Sequence, residues 1–409
     1  MLTQAPRTQA PATQAPPIPT RAIALLALAG FASQAMVRVT DSLLPQIAAD
    51  LGTTVGAAGI VVTVYGLAHG SVQLVIGPTG DRFGKYRTIA VMCAFASFLV
   101  MLSGLAGSIE TLAAARFASG LAAGWIIPLS MAYVGDVTPP DRLQPVLARY
   151  LTGQIIGQLS GQAAGGILGD LFGWRQVFFI LAAVFAVAAV ALAIEYIRNP
   201  LTRVQRTAQQ PARGAFASYA LVLGNPWARV LIALAAIESI FMWGPFAYVG
   251  ADLHLRFDLS FTLIGVFVGM FAVGGLIYAA SVQPLVNRLG QPGLALGGGF
   301  ALGAAFLILA IGAAWWLAPL AIATIGLGFY MLHNTLQTNA TSMTPEARGT
   351  AVALFSCALY LGQTAGVGAV ALVIDRTGAA PVFVVAAVAL PVIGWIFARA
   401  LRRRSRPSP

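Results

Sequence analysis

Charge is the scarcest property of this 409-residue chain: Asp, Glu, Lys and Arg make up 9% of it, against 58% hydrophobic residues. Soluble domains carry about a quarter of their residues as charges, so a water-facing exterior is excluded and the surrounding medium is lipid. From residue 289 to 345 there is no Asp, Glu, Lys or Arg at all. Cysteine is almost missing as well. Cys93 and Cys357 both fall in apolar segments, which leaves neither a disulfide framework nor a thiolate metal site. The histidines and cysteines never cluster at metal-ligand spacing. No phosphate-binding loop of the GxxxxGK[ST] form occurs, and no serine or cysteine triad can be assembled. Enzymatic chemistry, a metal, a cofactor and ATP drive are therefore not expected, and an ion gradient is left as the energy source. Lysine occurs once against 23 arginines. With the abundant alanine, this composition suggests a GC-rich bacterial genome and hence a bacterial plasma membrane.

What the chain does have is long apolar runs. Residues 51–80, 88–109, 259–287, 349–374 and 377–398 carry no charge, and each is long enough to span roughly 30 Å of hydrocarbon. The full pattern predicts an all-α membrane protein of twelve transmembrane helices, at 21–48, 54–78, 88–107, 109–134, 146–170, 176–196, 228–250, 260–284, 292–313, 317–342, 348–371 and 380–400. Residues 1–20 repeat TQAP at Thr3, Thr8 and Thr13 and read as a disordered tail. Of the 24 basic residues, 19 lie at the termini or in even-to-odd connections, 3 lie opposite and 2 within the membrane. By the positive-inside rule both termini are then cytoplasmic. The net charge of +11 is thus a record of topology, and no nucleic-acid partner is expected.

Residues 197–227, with Arg198, Arg203, Arg206 and Arg213, read as a cytoplasmic linker between six-helix bundles at 21–196 and 228–400, followed by a basic tail at 401–409. An internal repeat supports that cut. GPTGDRFG at Gly77–Gly84 corresponds to QPLVNRLG at Gln283–Gly290, with proline, arginine and the final glycine coincident. Two parallel, pseudo-symmetric halves place a substrate site between them near the midplane.

The string GPTGDRFGKYR resembles the signature of the major facilitator superfamily between helices two and three, through Gly77, Asp81, Arg82, Gly84, Lys85 and Arg87. The resemblance implies a gating motif in which Asp81 meets helix eleven and holds the cytoplasmic side closed in the outward-facing state. Asp41-Ser-Leu-Leu-Pro45, Arg116-Phe-Ala-Ser-Gly120 and Gly173-Trp-Arg175 look like first-half motifs of drug and sugar exporters in that superfamily. Helix five is similar to the antiporter motif through Gly157, Gly161, Gly165 and Gly166, but has Gln162 where that motif has proline and Ala148 in place of its first glycine. Close helix packing explains the same glycines without any role in antiport.

An ionisable side chain at membrane depth costs at least roughly 2.5 kcal/mol unless paired or hydrated, which marks it as functional by default. Arg38, Asp41, Arg116 and Glu238 are such residues. Asp41 and Arg116 are expected at similar depth and able to meet, with Arg38 as a competing partner one turn from Asp41. The resemblance also implies coupling on these helix-one and helix-four motifs, so Asp41 is assigned as proton carrier and Arg116 as its charge partner, and Glu238, with no basic residue on its own helix at that depth, is a second coupling site. A permanent buried ion pair that only fixes packing is the alternative. Gln34 on helix one, Tyr65, His69 and Gln73 on helix two, Gln154 and Gln158 on helix five, Trp243 on helix seven, and His333, Asn334 and Gln337 on helix ten are expected to line the pathway.

Together these features predict a secondary transporter, a monomer in the bilayer, that exchanges a small molecule for protons by alternating access. Proton symport or facilitated import of a sugar or metabolite is the rival reading. A sensor or docking protein that no longer transports is a third.

Overall fold

The computed structural model describes residues 18–76, 83–139, 142–203 and 215–404. These are mostly helical, with no strand among them. Ten segments are long and apolar enough to cross a membrane. One of them, Phe261–Ile311, leaves helical geometry at Gly290 (φ +62°) and so supplies two crossings. The 30-residue helix Leu143–Phe172 is long enough for another, and its lower hydropathy comes from Gln154, Gln158 and Gln162. The set is consistent with twelve crossings. An even number puts the two ends of the described chain on one face, which we term the terminal side.

The apolar side chains form two large clusters. One is built from Ala22 to Leu192 with a few residues of the later helices, and the other from Val222 to Leu401. Each is the core of one bundle, and the two are built alike. Helix five (Leu143–Phe172) lies against helix one (Thr20–Arg38) through glycines: a β-carbon on Gly157 would stand 2.7 Å from the Cα of Phe31, and one on Gly161 2.7 Å from the Cα of Ala35. Helix eleven (Arg348–Thr377) lies against helix seven (Pro226–Phe246) in the same way, with Gly362 and Gly366 each 2.9 Å, on the same measure, from the Cα of Ala236 and Ile240. Such backbone approach is how helices associate where lipid supplies no hydrophobic driving force. The sequence repeat is visible too. Gly84 (φ +86°) and Gly290 (φ +62°) both take left-handed backbone, which only glycine adopts without strain.

Three expectations need correction. Helix one does not run unbroken: Val39–Leu43 form a turn between Thr20–Arg38 and Leu44–Asp50. Pro45 is the physical cause, because it has no N–H to give the carbonyl four residues earlier, that of Asp41, and its ring crowds that carbonyl. Secondly, the connection between the halves is not all loop. It holds a 3-10 turn at Pro200–Arg203 and a helix at Ala215–Gly224. The Tyr219 hydroxyl of that helix donates to the carbonyl of Leu74 in the first half. Lastly, helix twelve continues to Arg404. The expected N-terminal tail lies almost wholly outside the described residues, as do residues 405–409.

Candidate functional site

The turn in helix one places Asp41 where the helical bonding is interrupted, buried to 2% exposure. Arg38, 3% exposed, donates to its Oδ2 at 3.4 Å. The same guanidinium donates to Oε1 of Gln363 in helix eleven at 2.9 Å and stands 3.4 Å over the ring of Trp243 in helix seven. Arg38 therefore ties the first half to two helices of the second, through a hydrogen bond and a cation–π contact. Asp41 Oδ1 has no hydrogen-bond partner among the described residues. This cluster is a carboxylate whose counter-ion is shared with the opposite bundle.

Arg116 is wholly buried, yet it forms no ion pair with Asp41. Its Nε donates to the carbonyl of Val61 and its Nη1 to that of Met36, both at 3.2 Å, and its guanidinium lies 4.0 Å over the ring of Tyr65. The expected role as charge partner is corrected on this geometry. Met36 lies just ahead of the break, where Asp41 and Leu43 bond back only three residues, to Arg38 and Thr40. Carbonyl oxygens and an aromatic face hold this guanidinium in place of a carboxylate, and its buried Nη2 has no hydrogen-bond partner among the described residues.

Glu238 does find a basic neighbour, from another helix. Nδ1 of His333 on helix ten (Ala318–Ala340) lies 2.7 Å from its Oε2. Glu238 is 0% exposed, and the imidazole stacks on Phe329 with centroids 4.7 Å apart. Removing one member leaves a buried polar atom of the other without its hydrogen-bond partner, a loss of about 1–3 kcal/mol. Unfolding of the purified protein should therefore show His333→Phe to be strongly destabilising. In a cycle with Glu238→Leu, the double variant should lose at least about 1 kcal/mol less than the two single losses together. Strict additivity would mean that the two groups do not interact.

A cavity of about 540 Å³ lies between helices five, eight and ten. Asn334 and Gln337 line it, beside Tyr278 and Tyr330, whose rings stack with centroids 6.3 Å apart. No charged side chain is among its lining residues within the described chain. The other expected pathway residues are placed differently. Gln73 spends its amide on the carbonyls of His69 and Gly124, and Gln154 is buried against Gly30 of helix one. Gln34 and Gln158 are half-buried on helices one and five, and His69 lies between the rings of Tyr65 and Tyr360. Of the gating motif, Gly77, Asp81 and Arg82 lie outside the described residues. Lys85 binds Asp136 at 2.7 Å, and Arg87 is exposed at the start of helix three.

The halves touch on the side away from the termini. There a β-carbon on Gly166 of helix five would stand 2.7 Å from the Cα of Gly265 in helix eight. Towards the terminal side the same two helices flank the cavity. The GWR segment braces the first half on that far side: Trp174 Nε1 donates to Asp50 at 3.0 Å and Arg175 pairs with the same carboxylate. Those two donors, Arg175 first, hold the Asp50 carboxyl below the usual carboxylate range.

A profile described as the Major Facilitator Superfamily matches residues 26–367 of the chain. The chain belongs to that superfamily. Among curated major facilitator proteins, it is 23% identical over 332 residues to the uncharacterised MFS-type transporter YceJ of Bacillus subtilis, covering 79% of this chain and 82% of YceJ. It is 31% identical over 155 residues to the multidrug export protein EmrB of Haemophilus influenzae, covering 38% of this chain and 30% of EmrB. The crystal structure of the nucleoside transporter NupG shares the fold with a TM-score of 0.73 at 13% identity, covering 93% of this chain and 99% of that one. Within this major facilitator chain, sequence reasoning missed Gln363, Tyr278 and Tyr330. Gln363 was open to discovery as the one amide in the apolar run 349–374. The tyrosines carried no signal, because an aromatic residue on a buried helix is ordinarily core.

Proposed function

We propose that this protein is a proton-coupled efflux transporter of a bacterial inner membrane, with its terminal side cytoplasmic, that exchanges small molecules for protons by alternating access. The observation that carries the reading is Asp41 in the break of helix one, its counter-ion Arg38 bound across the interface to Gln363 and Trp243. Parting the halves breaks the cross-interface contacts of Arg38 and changes the electrostatic surroundings of a buried carboxylate. Released from Gln363 and Trp243, the Arg38 side chain is free to turn away from Asp41, and a buried carboxylate that loses its cation takes up a proton. The cavity supports the cargo half of the cycle, since tyrosine faces and the amides of Asn334 and Gln337 suit an uncharged or weakly polar molecule. The name of EmrB, a multidrug export protein, favours export.

Import, by proton symport or facilitated diffusion, is kept as a second reading on one observation. Helix five runs unbroken through Gln162, where the antiporter motif has proline. Inside-out vesicles with an acid interior separate the two. Adding drugs, nucleosides and sugars in turn should discharge the gradient with at least one compound if the protein is an antiporter. Gradient-independent uptake of the same compounds, or no discharge by any of them, would sink the efflux reading.

A further inference from the structure

Two carboxylates outside the buried cluster share a geometry that the coupling mechanism does not use. Asp170, near the end of helix five, accepts from the backbone N–H of Thr262 at 3.1 Å and from its hydroxyl at 2.6 Å. Thr262 is in the first turn of helix eight. Asp375, near the end of helix eleven, accepts from the N–H of Gly56 at 2.9 Å and from the hydroxyl of Thr54 at 2.5 Å. Those two residues open helix two. Helices five and eleven are counterparts in the two halves, as their glycine contacts with helices one and seven show. The two caps are thus one device used twice. Each runs from one half to the other, and both lie on the side away from the termini.

The first turn of a helix has N–H groups with no partner inside the helix and carries positive partial charge. A carboxylate that accepts from one such N–H and an adjacent hydroxyl makes charge-assisted bonds. Here both donors belong to the opposite half, so the bonds exist only while that side is shut. When the halves part, water replaces them.

We propose that Asp170 and Asp375 are paired gating residues of the transport cycle, latches that set how readily the side away from the termini opens. The inference rests on the alternating-access reading above. Each latch biases the equilibrium towards closure about two- to five-fold, as expected of an exposed charge at a helix end. The two together bias it roughly ten-fold, because they are far apart and independent.

The test uses spin labels on Leu105→Cys and Ile311→Cys, exposed positions at the ends of helices three and nine on that side, one in each half. The buried Cys93 and Cys357 are replaced by alanine. Pulsed dipolar distances are measured in the full chain in lipid nanodiscs. The double variant Asp170→Asn/Asp375→Asn should raise the ratio of long to short distances roughly ten-fold, and each single variant by the smaller factor. Thr262→Val, which removes one hydroxyl donor and no charge, should move the ratio in the same direction by less. Unchanged distributions in the double variant, in protein whose unmodified form responds to pH or compounds, would overturn the latches and leave the transport reading standing. Opening of the double variant, in protein whose unmodified form never changes its distances, would support the latches and count against transport.

Discussion

Asp41→Asn should abolish proton-driven flux, by at least about a hundred-fold, while exchange of labelled for unlabelled compound across the membrane continues. Asparagine keeps the shape of the carboxylate and one acceptor for Arg38, so the break in helix one and the contacts of Arg38 with Gln363 and Trp243 can persist. What is lost is the capacity to exchange a proton when the halves move. The remaining guanidinium is then a buried cation without its acid, which is why the variant should also unfold more readily, by up to about 3–5 kcal/mol. Proteoliposomes with an imposed pH gradient give the flux, and counterflow without a gradient gives the exchange. Undiminished, pH-driven flux in this variant would remove Asp41 from the mechanism, and loss of exchange as well would make it a structural residue only. Arg116 makes the comparison informative. Bound to carbonyls and to Tyr65 and not paired with Asp41, it predicts that Arg116→Leu harms folding first and coupling only through it.

Gly161→Val is expected to have the largest effect on assembly. A β-carbon there would sit 2.7 Å from the Cα of Ala35, against backbone that cannot turn away as a side chain can. Helix five would have to lift off helix one, and overpacking costs about 1–3 kcal/mol or more, the upper end applying where backbone must move. The variant should fail to yield a monodisperse peak in mild detergent, or should melt far below the parent. Gly135→Ala is the control, because no atom of the described residues lies within 4 Å of its would-be β-carbon and alanine is favoured over glycine in a helix by about 1 kcal/mol. Opposite signs at these two glycines would tie the effect to the helix contact. Equal tolerance at both would show that the seam between helices one and five is looser than its geometry states.

The membrane class, the near-complete set of crossings and the twofold repeat were all legible in the residues, because each rests on local chemistry summed over long windows. Uncharged runs need no partner to be recognised, and the corresponding glycines at 84 and 290 needed only each other. The break at Asp41 was legible in principle through Pro45 and was missed, since an apolar run hides a lost hydrogen bond. The partners of the buried charges were not legible. Asp41 was matched with Arg116 on depth and on the motifs that carry the family resemblance, and neither tells which face of a helix a side chain leaves from.

The amino-acid order by itself determined that this protein lives in lipid, that its halves are copies, and that a few ionisable groups sit at membrane depth, for all of these follow from which atoms oil will and will not accept. Only the tertiary structure decided that Arg38 reaches Gln363, that Glu238 meets His333 from a helix 95 residues away, and that Asp170 and Asp375 each cap a helix of the opposite half. Those pairings depend on helix rotation and register between segments far apart in the chain. Rotation and register are set by how glycine faces and side chains pack together, which no stretch of sequence encodes alone.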